Sequence, residues 1–89
     1  MALYLVHCHL PDLTLAELAV LQRAAQATSE RLSAGGQPVR LVRSTFVPSE
    51  AHLLCLFEAD HARLVRDVTE LAQIPFQRIV EALELGAAP

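Results

Sequence analysis

The stretch PVRLVRSTFVPSEAHLLCLFE, residues 38–58, decides the fold. Its second half, His52 to Glu58, alternates cleanly: Leu53, Cys55 and Phe57 on one side, His52, Leu54, Leu56 and Glu58 on the other. Period-two alternation of this kind is a β-strand with two unlike faces. Its first half, Pro38 to Val47, carries Val39, Leu41, Val42, Phe46 and Val47 and reads as another strand. Pro48, Ser49 and Glu50 form a turn cluster between them. A connection so short joins antiparallel neighbours, so the two strands make a hairpin.

Working outward, each flank of the hairpin supplies a helix and then a strand. Upstream, residues 2–9 (ALYLVHCH) are aromatic, β-branched and apolar, and Pro11 and Asp12 break the run. Thr14 with Glu17 is a capping box that opens a helix. Leu18, Leu21, Ala25, Thr28 and Leu32 recur at three and four as its apolar stripe, and Gly35-Gly36 closes it with a left-handed residue after the C-cap. Downstream, Asp60 is the expected cap of a second helix with the stripe Leu64, Val65, Val68, Leu71 and Ala72, and Pro75 is expected to stop it. Phe76 to Leu85 reads as the last strand, and the tail 86–89 is expected to fray. The order βαββαβ predicts one α+β domain over residues 1–89, of the ferredoxin-like, dimeric α+β barrel type. Both crossovers are right-handed and place both helices on one face of a four-stranded antiparallel sheet. Strands one and three are then central, strand four flanks strand one, and the other face of the sheet stays bare.

Composition bears on what that bare face does. The chain has 89 residues, of which 53% are hydrophobic, and a mean hydropathy of +0.34. A chain this short buries only about 60–65% of its extended surface, so the apolar surplus predicts an interface, most simply a homodimer through the open sheet face. The net charge of −3 and seven scattered Arg residues, with no Lys, argue against a nucleic-acid partner. No apolar run approaches a membrane span, and residues 1–9 lack a cationic segment and a small-residue cleavage site. A cytoplasmic location and no membrane partner are expected. Cys8 and Cys55 each sit in an apolar run and read as core thiols rather than a disulfide framework.

The candidate chemistry follows from strand parity. Tyr4, Val6 and Cys8 share a face, and so do Leu53, Cys55 and Phe57; these uniformly apolar sets belong under the helices. His7, His9, His52 and Glu58 then fall on the bare face. Two histidines at i and i+2 on a strand point the same way, about 6.5–7 Å apart, and neutral imidazoles so placed share a divalent transition metal. His7, His9, His52 and Glu58 are therefore the candidate metal ligands, for a metal or a small ligand. In the last strand, Gln77, Ile79, Glu81 and Leu83 oppose Arg78, Val80 and Ala82, and the pattern leaves open which set is bare. If the first, Glu81 approaches the histidines, and Glu58, Glu81 and His7 become candidate catalytic acid–base groups of a cofactor-independent oxygenase, isomerase or cyclase. A structural or regulatory module without a site is the third reading. No phosphate loop, Cys-x-x-Cys pair or nucleophile elbow is present.

Several segments, in order across nearly the whole chain, carry a resemblance: Tyr4-Leu5-Val6 with Leu10-Pro11-Asp12, Thr14 with Glu17-Leu18, and Ser44-Thr45-Phe46-Val47-Pro48. Cys55-Leu56-Phe57-Glu58-Ala59 and Pro75-Phe76 with Arg78-Ile79-Val80-Glu81 continue the series. In these the chain resembles a family of small ferredoxin-like domains of unknown function that includes a nickel-binding member. The resemblance implies a dimer and implies nickel as the metal. Family members often have Val-Glu-Arg where this chain has Val6-His7-Cys8. The nickel-binding member is similar to this chain in being rich in histidine at the end of the first strand, which implies His7 and His9 as ligands.

Overall fold

The computed structural model describes residues 1–86. Its elements are β1 (Ala2–His9), α1 (Leu15–Ala34), β2 (Val39–Val47), a 3-10 turn (Pro48–Glu50), β3 (His52–Ala59), α2 (Ala62–Leu71) and β4 (Arg78–Ala82). The sheet order is β2-β3-β1-β4 with every pairing antiparallel, the ferredoxin-like arrangement the element order predicts. Gly86 is the one residue of the expected frayed tail within the described range.

The core lies between the two helices and one sheet face. Tyr4, Val6 and Cys8 of β1 and Leu53, Cys55 and Phe57 of β3 are buried with Leu18 and Ala25 of α1 and Leu64, Val65 and Val68 of α2. The apolar halves of the alternating strands are thus the halves under the helices, because only there is apolar surface removed from water on both sides.

Helix ends follow local chemistry. The Thr14 hydroxyl accepts from the Glu17 amide at 3.1 Å while Glu17 Oε1 accepts from the Thr14 amide at 3.0 Å. Both halves of the capping box are made, and they hold the Glu17 carboxyl below the usual carboxylate range. Gly36 takes φ +88 after the Gly35 cap, and the amides of Gln37 and Gly36 donate to the carbonyls of Leu32 and Ser33, a Schellman closure. The end of α2 differs from expectation. Gln73 adopts φ 58, and the amides of Ile74 and Gln73 return to the carbonyls of Thr69 and Glu70. This second Schellman closure ends the helix before Pro75 is reached. At the other end His61, not Asp60, is the N-cap, and no side chain caps it.

Two further expectations need correction. Leu71 is 62% exposed rather than buried. At about 100° per residue the buried arc of α2 centres on Val65, Val68 and Ala72, so Leu71 falls off its edge and Thr69 falls within it. Thr69 is fully buried because its hydroxyl donates back to the Arg66 carbonyl at 2.8 Å. The last strand is only Arg78–Ala82, shorter than the expected 76–85. It pairs with β1 over Leu3 to His7 alone. Ile74 and Phe76 instead approach the core from the connecting loop, and the Gln77 amide donates to the His7 carbonyl at 2.7 Å.

Candidate functional site

Cross-strand partners share a face, so the register fixes the open side of the sheet. Leu3, Leu5, His7 and His9 of β1 lie against Glu58, Leu56, Leu54 and His52 of β3. On the other side of β1, Ala82, Val80 and Arg78 oppose Leu3, Leu5 and His7. On β2 a bulge between Leu41 and Arg43 shifts the register by one residue. Arg40 faces Glu58 before it, and Arg43, Thr45 and Val47 face Leu56, Leu54 and His52 after it. The open face is therefore leucine-rich at one end and histidine-rich at the other.

At the histidine end, His7 Nδ1 and His52 Nε2 stand 3.3 Å apart, with ring centroids at 5.4 Å and planes at 80°. Two ring nitrogens that close must share a proton or a cation, since bare lone pairs repel. His7 is held below the ordinary histidine value first by burial, then by the Arg78 guanidinium and the His52 ring. Its neutral, metal-competent form is favoured. His9 is the direct cross-strand neighbour of His52 and is exposed.

The acids do not join them. Glu58 is six residues along β3 from His52, about 20 Å at the strand rise, and it pairs with its opposite neighbour Arg40 at 3.3 Å. It therefore does not belong with His7, His9 and His52 as a ligand. Glu81 sits opposite Tyr4. It shares the helix-side parity of the sheet and is exposed at the β4 edge, away from the histidines. Glu58, Glu81 and His7 thus lie at three separate places and form no acid–base cluster. Among the described residues, no three His, Cys, Asp or Glu side chains converge as a metal cage. The chain brings together a pair, His7 and His52, with His9 beside it.

At the leucine end, a groove of about 400 Å³ runs over Leu3, Leu5, Leu54, Leu56 and Ala82. The segment Leu83–Leu85 crosses it from the β4 side, and Glu84 Oε1 meets Arg43 Nη2 on β2 at 2.6 Å. No periodicity in the sequence signals this contact, since it joins β2 to the segment after β4 across the open face.

The thiols are on the other face. Cys8 and Cys55 are buried and unpaired. Burial, and then each other's proximity, push the Cys8 thiol up to about 12. Burial raises Cys55 too, although the Ser44 hydroxyl donates to its sulfur at 3.5 Å. Both are core groups, not ligands.

The fold is a ferredoxin-like α+β domain, and the sheet face its helices leave open carries the His7–His52 pair. The profile of a family described as nickel responsive protein SCO4226-like matches residues 4–82, and the chain belongs to that family. Among solved structures, the crystal structure of SCO4226 from Streptomyces coelicolor A3(2) is similar, with a TM-score of 0.76. The match covers 97% of this chain and 100% of that one at 22% identity, a likeness of fold. No curated protein matches the chain. Among the described residues no helix is long and apolar enough to cross a membrane.

Proposed function

We propose that the chain is a nickel-binding domain that works as a two-fold dimer through its open sheet face, with His7 and His52 as ligands. The observation that carries this reading is the 3.3 Å separation of His7 Nδ1 and His52 Nε2. At metal–nitrogen distances of about 2.1 Å, two imidazoles bound at angles between square and tetrahedral have nitrogens about 3.0–3.4 Å apart. The pair therefore fits a shared divalent ion without rearrangement of the strands. Imidazole nitrogen suits nickel, which outcompetes manganese, iron and cobalt at such sites, and the family's description as nickel responsive favours that metal. A bound ion supplies fixed positive charge and a bridge between ligands. Two imidazoles underfill such an ion's shell, and water or the matching histidines of a second copy would complete it.

The dimer rests on the open face. Leu3, Leu5 and Leu54 there are only half-buried and Val80 is 37% exposed. That is more apolar surface than a small domain leaves in water without a use for it. A cytoplasmic setting suits the two free thiols. Calorimetric titration of nickel into the protein tests the reading. Wild type is expected to bind at micromolar nickel, and His7→Ala and His52→Ala to lose most of the heat. No heat in wild type, or unchanged heat in both variants, contradicts it.

A further inference from the structure

The leucine end of the open face is unlike the histidine end, and it has its own polar group. Arg40 is an ordinary rim residue: its cross-strand neighbour is Glu58, and the two pair. Arg43 has Leu56 as its cross-strand neighbour. In an unbroken strand, parity would put Arg43 on the helix side, since Arg40 and Val42 would share the open face. The bulge between Leu41 and Arg43 reverses that parity. It turns a guanidinium onto a leucine floor. Bulges that re-aim a side chain in this way gather beside functional sites.

The groove that results is amphipathic. Leu3, Leu5, Leu54 and Leu56 make the floor, and Arg43 and Thr45 stand at one rim. Its volume of about 400 Å³ lies within the usual range for small-molecule sites. Arg43 is already occupied by a carboxylate, but the wrong kind for a permanent structure. Glu84 comes from the segment after β4, and both partners of the ion pair are about half exposed, at 59% and 49%. An exposed pair of this kind contributes little stability. The leucines on either side of Glu84 do not fill the groove, being 86% and 89% exposed at Leu83 and Leu85. The segment is held over the groove by its carboxylate and not by its apolar side chains.

We infer that this groove binds an apolar monocarboxylate, its chain on the leucine floor and its carboxylate on Arg43, and that Glu84 occupies the carboxylate position until the ligand displaces it. Arg43 then acts through paired N–H donors, which match a carboxylate and not an alcohol. The inference goes beyond nickel binding and needs no metal. A two-fold pairing of open faces would enclose the groove and strengthen the contact by excluding water.

The test uses decanoate and the uncharged decanol as probes on the whole chain. Binding is followed by amide shifts of Leu54 and Leu56, with sedimentation recorded alongside. Decanoate is expected to bind wild type roughly tenfold more tightly than decanol. Arg43→Gln is expected to erase that preference while leaving decanol unchanged, and Arg43→Lys to restore part of it. Glu84→Gln, which removes the internal competitor, is expected to tighten decanoate roughly two- to fivefold. The inference is overturned by no binding of decanoate, by equal binding of the two probes, or by an unchanged preference in Arg43→Gln. It is overturned as well by decanoate affinity that does not rise in Glu84→Gln. A closed dimer that admits neither probe also counts against it, and the sedimentation record identifies that case. None of these outcomes depends on nickel, so loss of the metal site and loss of the groove are separable.

Discussion

His7 sits between a guanidinium and a second imidazole, and it carries the site's pH dependence. Its proton is held less tightly in the folded chain than at the ordinary value of 6.5. The unfolded chain therefore binds more protons as pH falls below that value, and stability falls with it. Stability from this residue is complete above about pH 6.5 and declines as pH drops through the depressed folded value. Melting curves are expected to show a Tm that falls between about pH 7 and 5, with a shallower fall in His7→Asn. An equal slope in the variant would assign the dependence elsewhere. Nickel affinity should weaken over the same interval, because the His7 imidazole must be neutral to bind. The thiols give a second test. With Cys8 pushed up to about 12 and both thiols buried, folded protein at about pH 8 should react with a disulfide reagent only as fast as it opens. The histidine cluster was legible from parity, since His7, His9 and His52 fall on the polar-bearing halves of alternating strands. The place of Glu58 was not: parity gives a face but not a position along it, and only the register puts Glu58 opposite Leu3. Thr69 and Ser29 were missed because a buried hydroxyl that bonds its own helix, as Ser29 does with the Ala25 carbonyl at 2.8 Å, reads in sequence as a surface residue.

At the scale of elements, turns and caps decide where each strand begins. Thr14→Ala removes one half of the capping box and is expected to cost about 1 kcal/mol in chemical denaturation. Ala51 holds φ 52 at the end of the hairpin turn, a conformation that disfavours any side chain. Its carbonyl also accepts from the Leu10 amide at 2.8 Å, which ties the hairpin turn to the end of β1. Ala51→Gly is expected to stabilise the protein by up to about 1 kcal/mol, since relief of the left-handed strain exceeds the extra chain entropy of glycine. A lower denaturation midpoint would contradict this. The hairpin, both helices and their stripes were readable because period and cap signals coincide there. The bulge was not, since Leu41-Val42-Arg43 keeps an ordinary composition through the shift. The end of α2 was misplaced because Gln73, a residue without glycine's freedom, takes the left-handed cap position that sequence reading assigns to Gly or Asn. The last strand was overextended because Phe76 and Leu83 share its composition but lie beyond its pairing with β1.

For the whole molecule, helices cover one side of a four-stranded sheet, and everything proposed here lies on the other. The core that secures this arrangement is thin, and Phe57 is its largest fully buried side chain. Phe57→Ala is expected to cost roughly 3–5 kcal/mol in chemical denaturation, a large share of the total stability of a domain of this size. The pairing of open faces is tested by sedimentation, with wild type expected at twice 9.7 kDa and Leu5→Glu, at the centre of the leucine end, expected as a folded monomer. A monomeric wild type would remove the dimer while leaving the histidine pair in place. The histidine pair itself is tested most directly by crystals grown with nickel and measured across the nickel absorption edge. A nickel ion shared by the pair is expected to give an anomalous peak against His7 and His52 on the open face of the sheet. A map with no peak there, or with nickel held elsewhere on the chain, would contradict it.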